Sequence, residues 1–513
     1  MQLLSRALAM AVMLSAVSLA LAAVPSTVLD DRDWRPSGAV SRVDGVEREM
    51  TPELLLKTEL KEPVLLFDPT DDETITHITD FADKLYLASC TRPSDTDTGS
   101  IYTYDIETNQ WRKVFQVNEQ GLVRLEVYGS RLYIAGYDAN DGGWNLGNIY
   151  VHDGQIWTEH RTVPRAIHEY GLAVYRDRIY VSADILDPAP PGMTVDEAAQ
   201  KGLSRSYGRV VSSRDGGSTW QEEYRGAEPG QDIGFMTVFR DELVVNAHGD
   251  LVIFDGKRWR KLGLNPDALI VFDYADAGDT LLLATSLGLS FFDGRHFRRA
   301  SMTSDIQVRS ICRFGPTWVL PYYLVYGGTI WHGPGMMSYP SSPGNSRPSF
   351  FSGVYFITDH VMCRSARGQV VSDEWWEGAR WTGSKELLTT AHVFRGRVYF
   401  GSHPDGHVLV LPVVKEGTLE SAPRPVAEAG TYALSWEAAT PTGTSCTLQI
   451  RTAPTREALE KRPFAGPDGT DGSYFESPGT ALQITQPGFV QYRALLKTEN
   501  PALTPYLKRV TLR

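Results

Sequence analysis

Cysteine is scarce, an excess of basic charge is missing, and no apolar run beyond the N-terminus is long enough to cross a membrane. The chain has 513 residues and 4 cysteines, Cys90, Cys312, Cys363 and Cys446. Their spacing fits no zinc pattern, so no metal and no other cofactor is expected. Cys312 and Cys363 fall in one stretch of the chain and could pair if it is exported; buried thiols are the alternative. A formal net charge of −12 argues against nucleic acid and anionic membrane surfaces as partners, since both reward a basic patch. It leaves glycans and cell-surface proteins open. The one long apolar stretch, Ala7 to Leu21, follows a single Arg6 and ends in Ala20-Leu-Ala-Ala. That is the charged start, apolar middle and small-residue exit of a secretory signal peptide. It is shorter than the roughly 20 residues of a spanning helix. Residues 1–22 are therefore expected to be removed, leaving a secreted or periplasmic monomer with no inserted segment.

What is abundant is a repeat. Short apolar strands recur as Lys84-Leu-Tyr-Leu, Arg131-Leu-Tyr-Ile, Arg178-Ile-Tyr-Val, Glu242-Leu-Val-Val, Thr280-Leu-Leu-Leu, Thr317-Trp-Val-Leu and Arg397-Val-Tyr-Phe. Between them lie turns with a following aromatic: Asp153-Gly to Trp157, Asp215-Gly to Trp220, Asp255-Gly to Trp259, Asp293-Gly to Phe297 and Glu377-Gly to Trp381, with a looser Gln110-Trp111. The step from each aromatic to the next strand is nearly constant, whereas the step from strand to aromatic varies and carries insertions such as residues 186–206 and 333–370. Alternating strands with Asp-Gly turns read as antiparallel hairpins. A fixed period means stacked or radially arranged units. The 46 glycines and 30 prolines suit a turn-rich all-β chain, and the predicted fold is a β-propeller of seven blades. The stretch between Thr317 and Arg397 leaves six or eight open.

The count closes only if the last unit borrows a strand. His407-Val-Leu-Val-Leu-Pro-Val has no aromatic turn after it, and Pro63-Val-Leu-Leu-Phe67 has no partner before it. Pairing them would remove two exposed edges. The expected organisation is a signal peptide (1–22), an N-terminal extension (23–62), the propeller (63–415), a Pro-rich linker (416–427) and a β-sandwich (428–513). The last segment has alternating strands at Tyr432–Trp436, Cys446–Arg451, Phe489–Leu495 and Leu507–Leu512. It resembles accessory β-sandwich modules of secreted bacterial proteins through Gln449-Ile-Arg-Thr-Ala, Phe464-Ala-Gly-Pro-Asp-Gly and Val490-Gln-Tyr-Arg-Ala. That likeness implies a polymer-binding or buttressing role.

Ser213-Arg-Asp215-Gly-Gly217-Ser-Thr219-Trp220 fits the Asp-box pattern and resembles sialidase-like (BNR-repeat) propellers. The chemistry of the motif is a turn: a carboxylate accepting its own backbone N–H groups, a glycine giving freedom, and an indole packing between sheets. In such proteins it lies at the blade periphery, so Ser213, Asp215, Gly217, Thr219 and Trp220 are expected to be structural. The Arg-Ile-Pro motif, the arginine triad and the Tyr/Glu pair of a working sialidase are not found; Val163-Pro-Arg165 and Tyr322-Tyr323 do not supply them. Fold likeness alone gives no enzyme.

Candidate ligand-binding residues come from spacing. Eight places before the first apolar residue of each Leu-Tyr-type strand stand His77, Arg124, Gly171, Phe235, Asp273 and Thr390, and Arg309 stands nine places before Trp318. Convergence of His77, Arg124, Asp273 and Arg309 would make a polar pocket suited to an acidic sugar, because guanidinium grips carboxylate in a fork. The alternative is mutual pairing in a water-filled channel. His168 lies in a stretch resembling secreted propellers that carry His-x-x-Asp, but Gly171 replaces that Asp, so no His/Asp pair is expected. Tyr322, Tyr323, Tyr326, Trp331, Tyr339, Trp375 and Trp376 would serve sugar stacking if exposed and core packing if buried. The leading expectation is an exported non-catalytic protein binding a glycan or cell-surface partner. The rival is a polysaccharide hydrolase or lyase: paired carboxylates near the axis would favour the first, and His77 or His168 with Arg124 and Arg309 the second.

Overall fold

The computed structural model describes residues 29–513 except 33, 36–39, 70–73, 91–98, 118, 140–146, 162–165, 231–232, 248, 265–268, 301–305, 327–330, 334–335, 339–348, 368–379 and 385. The signal peptide and Trp375-Trp376 lie outside the described residues. The chain is all-β and divides into two compact units, Thr58–Val413 and a second comprising the residues up to Lys57 with Val414–Arg513.

In the Thr58–Val413 unit, strands pair with their sequence neighbours into antiparallel arrays of four. The first comprises Thr74–Phe81, Lys84–Cys90, Ser100–Asp105 and Gln110–Gln116. The next two run from Glu119 to Arg161 and from Ala166 to Arg225. Single bridging pairs, Gly121 with Cys90 and Tyr137 with His168, join these three arrays edge to edge. Ile233–Lys261 and Val271–Arg299 form two more. In the sixth, Ile306–Val308 and Cys312–Phe314 share one side of Thr317–Tyr326, which continues to Ser349–Thr358 and Arg380–Ser384. The last array runs Leu387–Phe394, Arg397–His403, Val408–Val410 and then Val64–Phe67, with Val410 opposite Val64. The pairing of the two orphan apolar runs is therefore formed.

The local chemistry explains these units. Two-residue hairpins with both φ values positive (Ala82-Asp83, Arg176-Asp177, Arg240-Asp241, Arg395-Gly396) match the right-handed strand twist. Their side chains then reach the next array: Arg176 to Asp241 at 2.6 Å, Arg240 to Asp279 at 3.3 Å, and Arg395 of the last array to Asp83 of the first. At the hairpins joining third and fourth strands, on the same end of the arrays, each Asp caps its own turn. Asp153, Asp255 and Asp293 accept two backbone N–H groups at 2.7–3.0 Å, each followed by a glycine with φ above +90°. Asp215 accepts from the Thr219 amide (2.8 Å), the Thr219 hydroxyl (2.7 Å) and the Ser213 hydroxyl (2.8 Å), which lowers its carboxyl to about 2. Trp220 Nε1 closes that turn on the Gly217 carbonyl at 2.9 Å. The turn aromatics stack across array boundaries, Trp157 on Phe115 at 4.9 Å and Trp111 on Phe67 at 4.6 Å. Tyr322 and Tyr323, offered as sugar-stacking planes, are fully buried, because they sit on the inner faces of an array core. Cys312 is a buried free thiol, so the disulfide with Cys363 is not formed.

The second unit corrects two boundaries. Glu416–Ser421, expected as linker, is a strand between Val40–Asp44 and Gly488–Thr498. Its alternating exposed and buried residues were masked by the prolines that follow. The N-terminal extension is not separate either: Leu29–Asp31 pairs with Tyr506–Leu512. Leu29–Asp31, Tyr506–Leu512, Gly430–Ala439 and Thr480–Ile484 make one sheet. Gly488–Thr498 centres the other, flanked by Glu416–Ser421, Arg424–Val426 and Thr444–Ala453. Buried Tyr492 links the two: its hydroxyl accepts from Trp34 Nε1 at 2.8 Å and donates to Asp31 at 3.0 Å. Arg451 and Arg493 cover the Phe464 ring at 4.3 Å each, so the motif residues of this module pack on one another.

Tyr492→Phe should cost about 1–3 kcal/mol in urea unfolding, since it strips a donor from Asp31 and an acceptor from Trp34 in a buried site. A loss below a few tenths would show that the hydroxyl does not tie the sheets together.

Candidate functional site

Each inner strand of the Thr58–Val413 unit is interrupted by a β-bulge at the same register. The ladder shifts between Ile75 and His77, Leu122 and Leu125, Glu169 and Gly171, Ile233 and Met236, Val271 and Asp273, and Leu388 and Thr390. The sixth inner strand breaks between Val308 and Cys312. A bulge re-aims side chains and bends the strand. Here the bulged residues Thr76, Val123, Tyr170, Phe272, Arg309 and Thr389 line one cavity of about 60 Å³, together with His77, Arg124, Gly171 and Phe235. Spacing thus found the right level of the strands but missed the bulge. It also misaligned Arg309 by one: Ser310 is the register equivalent of His77 and Asp273, and Arg309 occupies the bulge.

His77, Arg124 and Arg309 therefore meet at the cavity, as a lyase reading required, and Asp273 meets a second acid, as a hydrolase reading required. The pairings and the room are wrong for both. Arg124 donates to Glu126 at 2.5 Å and Asp273 at 2.7 Å and lies over the Tyr274 ring at 4.5 Å. Asp273 also accepts from the Ser310 hydroxyl, the Ile311 amide (3.1 Å) and the Tyr274 amide (2.7 Å). Burial opposes the Arg124 charge, but Asp273 and Glu126 more than offset it and hold the guanidinium ionised. Burial pushes Glu126 upward, with Arg124 pulling the other way. Both acids are thus committed to one cation rather than spaced around a glycosidic bond. Burial, then the Arg124 charge, hold His77 well below the ordinary imidazole range. Its Nδ1 accepts the Leu125 amide at 3.3 Å, so the neutral ring carries its proton on Nε2. A base so weakened is poorly matched to neutral pH. Small-molecule sites occupy roughly 300–1,000 Å³; a void of about 60 Å³ admits no sugar ring.

Other groups escaped the sequence reading. Asp184 lies opposite His168 in the ladder, and the His168 Nδ1–Asp184 distance is 3.8 Å with Tyr170 bonded to both at 3.1 Å. A His/Asp pair is thus present through a cross-strand residue, which spacing along one strand does not reveal. Buried Glu119 accepts from Asn148 (2.7 Å) and Tyr150 (2.9 Å), and burial pushes its carboxyl well above the usual range, with Glu169 adding to the rise. Gly136 leaves room for it: a Cβ there would lie 1.3 Å from Glu119 Oε2 and displace the carboxyl group.

A far larger opening lies on the flank of the same unit. A cleft of about 1430 Å³ is lined by six arginines, Arg240, Arg260, Arg295, Arg298, Arg313 and Arg367, and by five acids, Glu242, Asp276, Asp279, Asp293 and Asp359, with buried Leu282, Trp318 and Met362 behind them. Three of these arginines are paired, Arg240 with Asp279, Arg260 with Glu242 and Arg313 with Asp359. Among the described residues Arg295, Arg298 and Arg367 have no carboxylate partner, and all three are exposed. The sequence signal was present in Asp293-Gly-Arg295-His-Phe-Arg298 but was absorbed by the turn reading.

No protein-family model and no curated protein matches the sequence. Among solved structures, the extracellular domain of BT4673 from B. thetaiotaomicron is similar at 8% identity and a TM-score of 0.41, covering 77% of this chain and 43% of that one. The chain thus spans under half the length of that relative. The computationally designed Ika8 protein is similar at 14% identity and a TM-score of 0.39, covering 68% and 99%. A chain of the nidogen/laminin complex shows 12% identity and a TM-score of 0.31 over 47% and 86%. Likeness at this level bears on neither ligand nor activity.

Arg124→Met should destabilise the protein by about 3–5 kcal/mol, because it leaves Asp273 and Glu126 buried without their cation; a near-neutral result would refute the pairing. Glu119 contributes stability that is fully present below its unfolded pKa of about 4.3 and is lost as pH rises toward the elevated folded value. The stability difference between wild type and Glu119→Gln should therefore shift in favour of the variant from pH 4 to pH 8. Parallel pH profiles in urea unfolding would contradict this.

Proposed function

We propose that the chain is an exported, non-catalytic recognition protein, a seven-bladed β-propeller carrying a β-sandwich, that binds an anionic glycan in the arginine-lined cleft. The cleft carries the reading: three arginines without carboxylate partners face an opening of about 1430 Å³ on a protein of formal charge −12. Guanidinium matches the planar carboxylate of a uronate. Trp318 lies buried beneath the Arg313 guanidinium, so the cleft offers charge rather than an exposed aromatic plane. The propeller reading is supported by four-stranded arrays in chain order, by the borrowed strand Val64–Phe67, and by the single cavity that receives residues from successive inner strands. Export is supported by the apolar leader before residue 23. The committed carboxylates around Arg124 and the small axial cavity favour binding over catalysis.

Titration calorimetry of the full chain with oligogalacturonate should show salt-sensitive binding, weakened about tenfold by Arg295→Ala and again by Arg298→Ala. A neutral oligosaccharide of equal length should bind more weakly. Release of reducing ends or unsaturated products on incubation would overturn the non-catalytic reading, and affinity unchanged in both variants would overturn the site.

A further inference from the structure

Arg309 is the one group of the axial cavity whose charge the fold leaves unanswered among the described residues. It is 7% exposed. Its guanidinium lies 3.7 Å from the Phe272 ring centre and 5.4 Å from that of Tyr323. Nε and Nη1 have no hydrogen-bond partner, and no carboxylate lines the cavity. The neighbouring acids are spoken for: Asp273 faces Arg124, Ser310 and the Ile311 amide, and Glu126 faces Arg124 and Tyr274. The cavity hydroxyls of Thr76 and Thr389 donate to backbone carbonyls. His77 is neutral and its Nδ1 is occupied. Burial lowers the pKa of Arg309, yet a guanidinium starts so high that it remains charged.

We infer that this cavity is a binding site for a small monovalent anion, halide or formate in size, held by the Arg309 guanidinium. The volume sets the class. About 60 Å³ holds a few water molecules, enough for chloride or formate and too little for a sugar acid. A buried charge is ordinarily paired, and a guanidinium that meets the neutral Tyr323 hydroxyl but no carboxylate among the described residues is what such an anion completes. The site is separate from the flank cleft, so it stands or falls independently of the glycan reading.

The test is the urea midpoint of the full chain at constant ionic strength in sodium chloride, sodium formate and sodium gluconate, the last too large to enter. Above the dissociation constant, the unfolding constant should fall about tenfold for each tenfold rise in the ion that binds. Chloride and formate arms separate the two candidates, and gluconate should have no effect. Arg309→Met should abolish the dependence, whereas Arg112→Ala, on the surface and outside both openings, should retain it. Should Arg309→Met fail to fold, bromide-soaked wild-type crystals give a second readout, an anomalous peak in the cavity beside Arg309. Identical midpoints in all three salts, a dependence that survives in Arg309→Met, or an axial cavity without bromide would each overturn the assignment and leave water as the occupant.

Discussion

A strand at the edge of a sheet exposes a row of unpaired N–H and C=O groups, and a chain of successive four-stranded arrays has two such ends to hide. The pairing of Val64–Phe67 with Val408–Val410 is the interaction on which the rest depends. It joins segments more than three hundred residues apart in the chain and brings the last array beside the first. Only then can Arg395 reach Asp83, Trp111 stack on Phe67, and Thr389 donate to the Ile75 carbonyl. Those contacts repeat, across the seam, the boundary contacts made between arrays that follow one another in sequence, such as Arg176 with Asp241 and Trp157 with Phe115.

Closure also dictates what the interior can do. Inner strands converging on a narrow space must bend, and the recurrent bulge is how each of them does so. The bulge turns one extra side chain inward from each strand, and the space left is too small for a substrate. Polar groups stranded there must satisfy one another, as Arg124, Glu126 and Asp273 do. Ligand-sized room with unspent charge is found on the flank, where Arg295 sits in a hairpin turn and Arg298 in the edge strand Phe297–Arg299, away from the closure constraint. In the proposed propeller these pairs pack the axis around Arg309, and the proposed recognition site lies on the surface.

Much of this was legible in the residues and some of it could not have been. Apolar alternation with Asp-Gly turns announces hairpins because those residues have few other uses, and two apolar runs without neighbours announce a closing strand. The bulge is silent, since it adds one residue without changing composition; Arg309 is one position early because it was counted from Thr317 rather than from the apolar Trp318. Ion pairs between successive hairpins, and the Asp184 partner of His168, depend on cross-strand geometry that spacing along one strand does not encode. The stretch Glu416–Ser421 was read as linker because prolines beside it outweighed its own alternation. The unpaired arginines of the cleft were visible only as turn residues until their neighbours were known.

Native-state hydrogen exchange of Val64–Phe67 and Val408–Val410 tests closure most directly. The account predicts that these amides exchange only through opening as rare as that of an interior strand such as Glu242–Ala247. Exchange of Val64–Phe67 at the rate of an unstructured peptide, with the interior strand still protected, would contradict it.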